Sequence, residues 1–218
     1  MCDKIILFLG DSITEGAGAS CAENNYVSLV GKKLGVKALN FGVGGTRIAK
    51  QNGSDVDAYS EYFLLRAKRM PKQADLDFVF CGTNDFGHGN AHIGTIKDRT
   101  DLTFCGALNN LIEYLTQTYG KDKICFILPL HRFDEDNPFG EGQKNTPGLL
   151  LYEYVNIIKS VLDYYRIKYL DFNDSFPRPL NNTGDNLTVD GLHPNDCGHR
   201  IIADRIVDFI LEKHNNLG

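Results

Sequence analysis

The sequence predicts an α/β protein whose central sheet is parallel and is covered by helices on both faces. Short, almost continuous apolar runs are typical of strands buried on both faces, and amphipathic stretches at helical spacing separate these runs. Strands that alternate with helices form βαβ units, whose right-handed crossovers make the strands parallel. The five predicted strands are residues 5–9, 36–41, 76–81, 124–130 and 167–172.

Two of the predicted helices have especially clear apolar stripes. The first stripe steps by three and four residues from Phe104 to Leu115, and Thr100 or Asp101 is predicted to cap the start of that helix. The last helix of the chain carries a similar stripe and is predicted to begin at Asn195. Helices therefore follow the third and the fifth predicted strands.

The length and charge of the chain limit its organisation and its partners. No linker-like stretch divides the 218 residues, so we expect one domain spanning residues 1–218. The formal net charge of -5 gives no electrostatic support for binding nucleic acid or a membrane surface. The expected partner is a small, neutral or modestly charged molecule, and the oligomeric state stays open.

Neither an export signal nor a membrane span is expected. The early apolar run at residues 5–9 is too short for either one. The cysteines are scattered without a Cys-x-x-Cys pair, so we expect reduced thiols in a cytoplasmic protein. These cysteines are Cys2, Cys21, Cys81, Cys105, Cys125 and Cys197. Three Asn-x-Ser/Thr triplets are expected to be ordinary turns; they begin at Asn52, Asn181 and Asn186.

Polar and glycine-rich segments follow the first three predicted strands, at the edge where parallel sheets bind ligands. These segments are residues 10–14, 40–46 and 82–85, and a fourth, residues 190–194, precedes the last helix. Four loops are therefore expected to meet at one site.

Ser12 is the candidate nucleophile, because a turn from strand to helix presents backbone N–H groups that can hold a developing negative charge. A capping or turn serine is the alternative. A serine hydroxyl needs a base, and the base needs an orienting partner. Asp190 and His193, three residues apart in a turn that contains glycine, can supply both. A capped helix start with a surface histidine is the alternative for this pair.

Gly45 and Asn84 are candidate donors to an oxyanion. Gly45 can offer a backbone N–H with no side chain in the way, and Asn84 can offer a side-chain amide. The glycines at positions 42, 44 and 45 could instead form a tight turn or a loop that cradles phosphate. A dinucleotide fingerprint would need another glycine where Arg47 stands. Asn84 could instead form an Asx turn.

Together these segments resemble, in order and over the whole chain, the four sequence blocks of the SGNH (GDSL-type) hydrolase superfamily. The resemblance implies a flavodoxin-like three-layer α/β/α sandwich with a central five-stranded parallel sheet. It also implies a serine esterase in which Ser12 is the nucleophile, His193 the base and Asp190 its orienting acid. The Ser12 N–H, the Gly45 N–H and the Asn84 side chain would form the oxyanion hole. The matching blocks are Gly10-Asp11-Ser12, Asn40-x-Gly42-x-x-Gly45, Gly82-x-Asn84-Asp85 and Asp190-x-x-His193-Pro194.

The expected reaction is hydrolysis of a carboxylic ester that carries a short acyl group, such as acetyl, on a carbohydrate or another polar alcohol. Residues 86–100 and 131–147 mix polar groups with few aromatics, which favours such a substrate over a long acyl chain. Candidate substrate-binding residues are Asp11, Asp85, His88 and His131. Three alternatives stay open: an acyltransferase with the same residues, a lysophospholipase-like acylhydrolase, and a flavodoxin-like module that binds a small ligand without turnover.

Two other kinds of site are not favoured by the sequence. The nucleophile elbow of α/β-hydrolases needs a glycine where Thr14 stands. His88 and His92 are four residues apart, but Gly87, Gly89 and Asn90 disfavour a helix that would present both to a metal. We therefore expect no cofactor and no metal.

Overall fold

A computed structural model of the chain describes residues 4–51 and 61–215. One parallel sheet has its five strands in the order β2-β1-β3-β4-β5. Each strand overlaps its predicted run, and the predicted α/β class with a five-stranded parallel sheet is confirmed. The strands are β1 (Ile5–Gly10), β2 (Lys37–Gly42), β3 (Leu76–Phe80), β4 (Ile124–Ile127) and β5 (Lys168–Leu170). Cys2 and Asn52 lie outside the described residues.

The outer strands are less buried than the sequence predicts. Residues of β1, β3 and β4 are almost all buried, whereas β2 is half-exposed or exposed along its length and β5 is buried only at Leu170. Because β2 and β5 form the two edges of the sheet, each has a neighbouring strand on one side only. The prediction of burial on both faces is therefore wrong for these two strands.

Helices cover both faces of the sheet and complete the three-layer sandwich. α3, α5 and α6 pack on one face, and α2 and α7 pack on the other. The helices are α1 (Ser12–Glu15), α2 (Tyr26–Leu34), α3 (Phe63–Ala67), α4 (Thr83–His88), α5 (Phe104–Tyr119), α6 (Leu151–Tyr165) and α7 (Asp196–Asn215). None of the helices in the described ranges combines the length and the apolar character needed to cross a bilayer.

Successive side chains of β1 point into two apolar cores, one on each face of the sheet. Leu7 and Leu9 face the core beneath α3, α5 and α6, whereas Ile6 and Phe8 face the core beneath α2 and α7. Successive side chains of a strand point to opposite faces, so one continuous apolar run can supply both cores. This is why the central strands have no polar face.

The N-caps of α5 and α7 test the sequence predictions of where these two helices begin. Asn195 caps α7 as predicted, because its Oδ1 accepts hydrogen bonds from the Cys197 and Gly198 N–H groups at 2.9 and 3.2 Å. The predicted cap at Thr100 or Asp101 is wrong, since the N-cap of α5 is Thr103. The Phe104 N–H donates to the His92 carbonyl at 2.8 Å, and Thr103, immediately before the helix, is extended.

Asp77 is an ionisable side chain within the apolar centre of the sheet. It lies on β3 opposite Leu7 of β1 and Ile124 of β4, and it is fully buried. Within the part of the chain that the structure describes, neither of its carboxyl oxygens has a hydrogen-bond partner. Burial without a partner penalises the charged form, and it raises the pKa of Asp77 well above its ordinary value.

Replacing Asp77 by Asn should remove a pH-dependent loss of stability. The folded chain holds the Asp77 proton more tightly than the unfolded chain, so the free energy of unfolding should fall as pH rises above the unfolded-state pKa. One such group contributes at most about 1.4 kcal/mol per pH unit. Urea denaturation between about pH 5 and pH 7 should therefore show a steeper fall for the wild type than for Asp77→Asn.

Asp75 provides a matched control two residues earlier. Its carboxylate accepts hydrogen bonds from Lys4 Nζ at 2.7 Å and the Ile5 N–H at 2.8 Å, and these lower its pKa. Asp75 is therefore ionised in both states over the same pH range, and Asp75→Asn should change stability by a constant amount. Equal pH slopes for the wild type and Asp77→Asn would contradict the assignment.

Candidate active site

The structure brings four loops together around one cavity of about 790 Å³ at the carboxyl edge of the sheet. Ser12 follows β1, Gly45 follows β2 and Asn84 is the second residue of α4, just after β3, while His193 lies just before α7. All four residues line the cavity. Parallel strands end at the same edge, which is why segments far apart in sequence can share a site.

Ser12, His193 and Asp190 are hydrogen-bonded in series. His193 Nδ1 lies 2.7 Å from Asp190 Oδ2, and His193 Nε2 lies 3.0 Å from Ser12 Oγ. A carboxylate only accepts, so Nδ1 carries the proton and Nε2 is left to accept the Ser12 hydroxyl proton. The three side chains therefore have the serial arrangement that a nucleophile, a base and an orienting acid require.

The segment between Asp190 and His193 forms a compact turn around the carboxylate. Asp190 Oδ1 accepts hydrogen bonds from the Leu192 and His193 N–H groups at 3.0 and 2.7 Å. Gly191 has φ of 78°, and a Cβ there would lie 2.5 Å from the Asn181 carbonyl oxygen. Burial alone would raise the pKa of Asp190, but the hydrogen bonds from the His193 ring and backbone lower it below its ordinary value. The carboxylate therefore stays ionised.

Ser12 is the first residue of α1 and does not cap it. Asp11 is the cap, because its Oδ1 accepts a hydrogen bond from the Ile13 N–H at 3.0 Å. Gly10 permits this tight turn, since a Cβ at that position would lie 1.8 Å from Thr14 Oγ1. Within residues 4–51 and 61–215, the backbone N–H of Ser12 has no hydrogen-bond partner.

The loop after β2 passes close to Ser12. The Gly44 N–H donates to Glu15 Oε2 at 2.9 Å, and a Cβ on Gly44 would lie 3.6 Å from Ser12 Cβ. Gly45 has φ of 70°, a left-handed conformation that suits glycine. Its N–H has no partner among the described residues. Both backbone N–H groups that the sequence singles out are therefore available to a ligand.

Asn84 is fixed by contacts to both ends of its amide. Its Nδ2 donates to the Thr46 carbonyl at 3.1 Å, and its Oδ1 lies 3.2 Å from His88 Nε2. An amide nitrogen carries two protons, so one N–H remains for a ligand oxygen in the cavity.

Asp11 and Asp85, which the sequence suggests as substrate contacts, lie beneath the cavity and do not line it. The Asp85 carboxylate accepts hydrogen bonds from the Ile48 and Ala49 N–H groups at 2.9 and 3.2 Å, which ties α4 to the end of the loop after β2. Burial raises the pKa of Asp11 to about 6 and that of Asp85 to about 7. Their expected contact with substrate is not met by the geometry, because their oxygens are enclosed by the loops.

The two candidate histidines lie in different places. His88 lines the main cavity, whereas His131 lies in a second cavity of about 200 Å³. His131 Nδ1 is 2.7 Å from Glu135 Oε2, so the expected role of His131 in this site is not met either. The helix α4 ends at His88 and does not extend to His92. Over residues 4–51 and 61–215, no group of three or more His, Cys, Asp or Glu side chains could hold a metal ion.

Several charged cavity residues are absent from the sequence-based site. Glu15, Arg47, Glu141 and Lys144 line the cavity beside the predicted residues. The buried guanidinium of Arg132 holds Glu141 at 2.5 Å and also donates to the Thr83 carbonyl of α4 at 3.3 Å, which anchors the segment after β4 against the site. Charged residues in loops carry no periodic signal, so only their location in the fold distinguishes them.

Arg66 is a further residue that the motifs do not reveal. Its guanidinium, on α3, is buried and donates to Thr46 Oγ1 at 2.7 Å and to the Gly10 carbonyl at 2.8 Å. It also donates to the Phe41 carbonyl. Burial lowers the pKa of Arg66 to about 10, which leaves it a cation at neutral pH. One side chain thus joins the ends of β1 and β2 to the loop that carries Gly45.

A serine, an imidazole and a carboxylate in series beside a polar cavity form the arrangement that serine hydrolases use. The sequence profile of the GDSL-like lipase/acylhydrolase family matches residues 8–201. The chain belongs to that family and is an ester hydrolase. A ligand-binding module without turnover, one of the alternatives from sequence, is thereby set aside.

Solved structures share the fold over nearly the whole chain. A protein from Lactobacillus plantarum is 27% identical with a TM-score of 0.80, over 96% of this chain and 97% of that one. A possible lipase from Chitinophaga pinensis DSM 2588 is 22% identical with a TM-score of 0.70, over 96% and 98%. A carbohydrate acetylesterase family member from Sinorhizobium meliloti is 18% identical with a TM-score of 0.63, over 95% and 97%. No curated protein sequence matches the chain.

Replacing Arg66 by Met should destabilise the protein strongly. The change would remove a buried donor from three oxygen acceptors, of which the Gly10 carbonyl would keep its hydrogen bond from the Val43 N–H. We expect the free energy of unfolding to fall by about 3 kcal/mol in urea denaturation.

The control is Arg69→Met, three residues further along the chain. The Arg69 side chain is 60% exposed and pairs with the exposed Glu61, so its loss should cost no more than about 0.5 kcal/mol. Similar costs for the two substitutions would contradict the role assigned to Arg66.

Proposed function

We propose that the chain hydrolyses esters of short acyl groups, acetyl above all, on carbohydrates or other polar alcohols through an acyl-enzyme on Ser12. The observation that carries this proposal is the hydrogen-bonded series from Ser12 Oγ through His193 to Asp190 beside a polar cavity. The series provides a nucleophile, a base and a charge that stabilises the protonated base.

In the first half of the reaction, Ser12 Oγ attacks the acyl carbon and its proton moves to His193 Nε2. The imidazolium that forms is stabilised by the Asp190 carboxylate, 2.7 Å from Nδ1. As the tetrahedral intermediate collapses, the bond to the leaving alcohol breaks and Nε2 returns the proton to that oxygen. The product is an ester on Ser12.

In the second half, water takes the place of the alcohol. His193 Nε2 removes a proton from the water as its oxygen attacks the acyl carbon. The acid product then leaves, and Ser12 Oγ recovers its proton from the imidazolium. Apart from the ester and water, no group outside the chain is needed to balance the two halves.

Three donors would hold the negative charge of the intermediates. They are the N–H groups of Ser12 and Gly45 and the remaining N–H of the Asn84 side chain. The availability of both backbone N–H groups and the fixed amide of Asn84 support this assignment. Donors that are already oriented need no rearrangement when the charge develops, and such preorganisation is a large part of enzymatic rate enhancement.

The lining of the cavity supports a short acyl group and a polar alcohol. Polar and charged side chains predominate, and Val43 and Leu192 are its only apolar side chains among the described residues. A long acyl chain would have to be buried against apolar walls to contribute binding energy. The carbohydrate acetylesterase family member from Sinorhizobium meliloti shares only the fold at its level of identity, so the substrate class rests on the cavity.

Replacing Asn84 by Ala should lower kcat by about 100- to 1000-fold, because one oxyanion donor is lost. Ser12→Ala should abolish both turnover of an activated acetyl ester and labelling by a fluorophosphonate. The control is Asn110→Ala, a change on α5 at a residue that does not line the cavity. Thermal unfolding should show that all three variants are folded.

Full activity in Asn84→Ala would remove that residue from the oxyanion hole. Labelling of Ser12→Ala at the wild-type rate would refute the nucleophile itself.

The enzyme should prefer acetyl over octanoyl esters. Both esters should carry the same 4-nitrophenyl leaving group. The value of kcat/KM for the acetate should exceed that for the octanoate by about tenfold or more, because a pocket that does not fit part of a substrate typically lowers kcat/KM by that factor. Rates with Ser12→Ala serve as the blank for uncatalysed hydrolysis. A value of kcat/KM that rises toward the longer chain would overturn the proposed substrate class.

A further inference from the structure

The ring of His88 joins two residues of the cavity wall. Its Nδ1 lies 2.8 Å from Arg47 Nη1, and its Nε2 lies 3.2 Å from Asn84 Oδ1. A guanidinium only donates hydrogen bonds, so Nδ1 must be the acceptor. The ring proton is therefore on Nε2, where it is donated to the Asn84 amide oxygen. Arg47 thus selects the tautomer of His88.

The charge state of His88 agrees with this arrangement. Burial lowers the pKa of His88, and the positive charge of Arg47 lowers it further. The ring is accordingly neutral at neutral pH, as a ring that accepts a hydrogen bond from Arg47 must be.

The selected tautomer in turn fixes the orientation of the Asn84 amide. In the observed orientation, Oδ1 accepts from His88 and Nδ2 donates to the Thr46 carbonyl. A flipped amide would place its oxygen against that carbonyl oxygen and its NH₂ group against the Nε2 proton. Both contacts would be repulsive, so the second N–H of Nδ2 is held in one direction.

The contacts also form a closed circuit. The Asn84 amide donates to the carbonyl of Thr46, and the next residue in the chain, Arg47, donates to His88. His88 in turn donates to the Asn84 oxygen. The loop after β2 and the helix α4 therefore hold each other in register at the position where Asn84 meets the cavity.

We infer that His88, held in one tautomer by Arg47, is a positioning residue that orients Asn84 as a donor to the oxyanion. The inference rests on the proposed function, since it needs Asn84 to be such a donor. It differs from the sequence expectation that His88 binds substrate, because both ring nitrogens are already engaged within the protein. His88 thus acts on the reaction through Asn84.

The test compares two substitutions of His88 under saturating acetyl ester. His88→Leu removes both ring nitrogens and should lower kcat about tenfold, the effect of one lost hydrogen bond to an oriented donor, with KM changed less than about twofold. His88→Gln keeps a donor and an acceptor at a similar distance from the backbone and should restore most of kcat. If His88→Leu does not fold, His88→Phe, which keeps a ring without polar atoms, takes its place.

A double-mutant cycle with Asn84→Ala shows whether His88 acts through Asn84. In the Asn84→Ala background, His88→Leu should cause no further loss of kcat, because the amide that it orients is gone. His92→Leu is the matched control, since that side chain is exposed and does not line the cavity, and it should leave kcat unchanged in both backgrounds.

The outcomes separate this inference from the proposed function. Wild-type activity in Asn84→Ala would refute Asn84 as a donor, and the inference would fail with it. A large loss in Asn84→Ala together with an unchanged kcat in His88→Leu would overturn the inference alone. So would an equal loss from His88→Leu in both backgrounds, or a rise in KM without a fall in kcat.

Discussion

The 3.0 Å contact between Ser12 Oγ and His193 Nε2 is the constraint on which the rest of the site depends, because it joins two ends of the chain. The sheet brings these loops to one edge, and hydrogen bonds outside the sheet then set the distance between them. Asp196, in the first turn of α7, accepts from the Ser20 N–H and Oγ at 2.8 and 2.6 Å. The buried His199 lies 3.2 Å from the Ala17 carbonyl. The segment after Ser12 is therefore attached to the helix that follows His193.

The protein buries several ionisable side chains, some of them beneath the cavity. The Arg66 guanidinium and the Asp85 carboxylate each bond mainly to backbone groups at the ends of strands and loops. Such groups are costly to desolvate, and hydrogen bonds to backbone atoms offset that cost. Asp77 has no such contact among the described residues and carries the cost alone. The buried ionisable groups near the site therefore stabilise the shape of its loops.

The sequence predicts the strands and the four loops because both depend on local patterns. Apolar runs mark the strands, and short motifs place Ser12, Asn84 and His193 after them or before the last helix. Burial of β2 and β5 depends on strand order, which the runs do not specify. The cap at Thr103 depends on a contact to His92, and the roles of Arg66 and Asp85 depend on backbone groups distant in sequence. These features become visible only when the fold places those partners together.

Under the proposed mechanism, the hydrogen bonds around Asn84 explain how a polar cavity can favour one reaction. A polar site in water gains little from each hydrogen bond, because substrate and water compete for the same donors. Asn84 is partly protected from this competition. The Thr46 carbonyl accepts one of its two N–H groups, and His88 donates to its oxygen. In the proposed mechanism, the N–H that remains is already oriented, so charge on the intermediate would meet a fixed dipole. Orientation of this kind favours the transition state over the neutral ester, which binding alone cannot do.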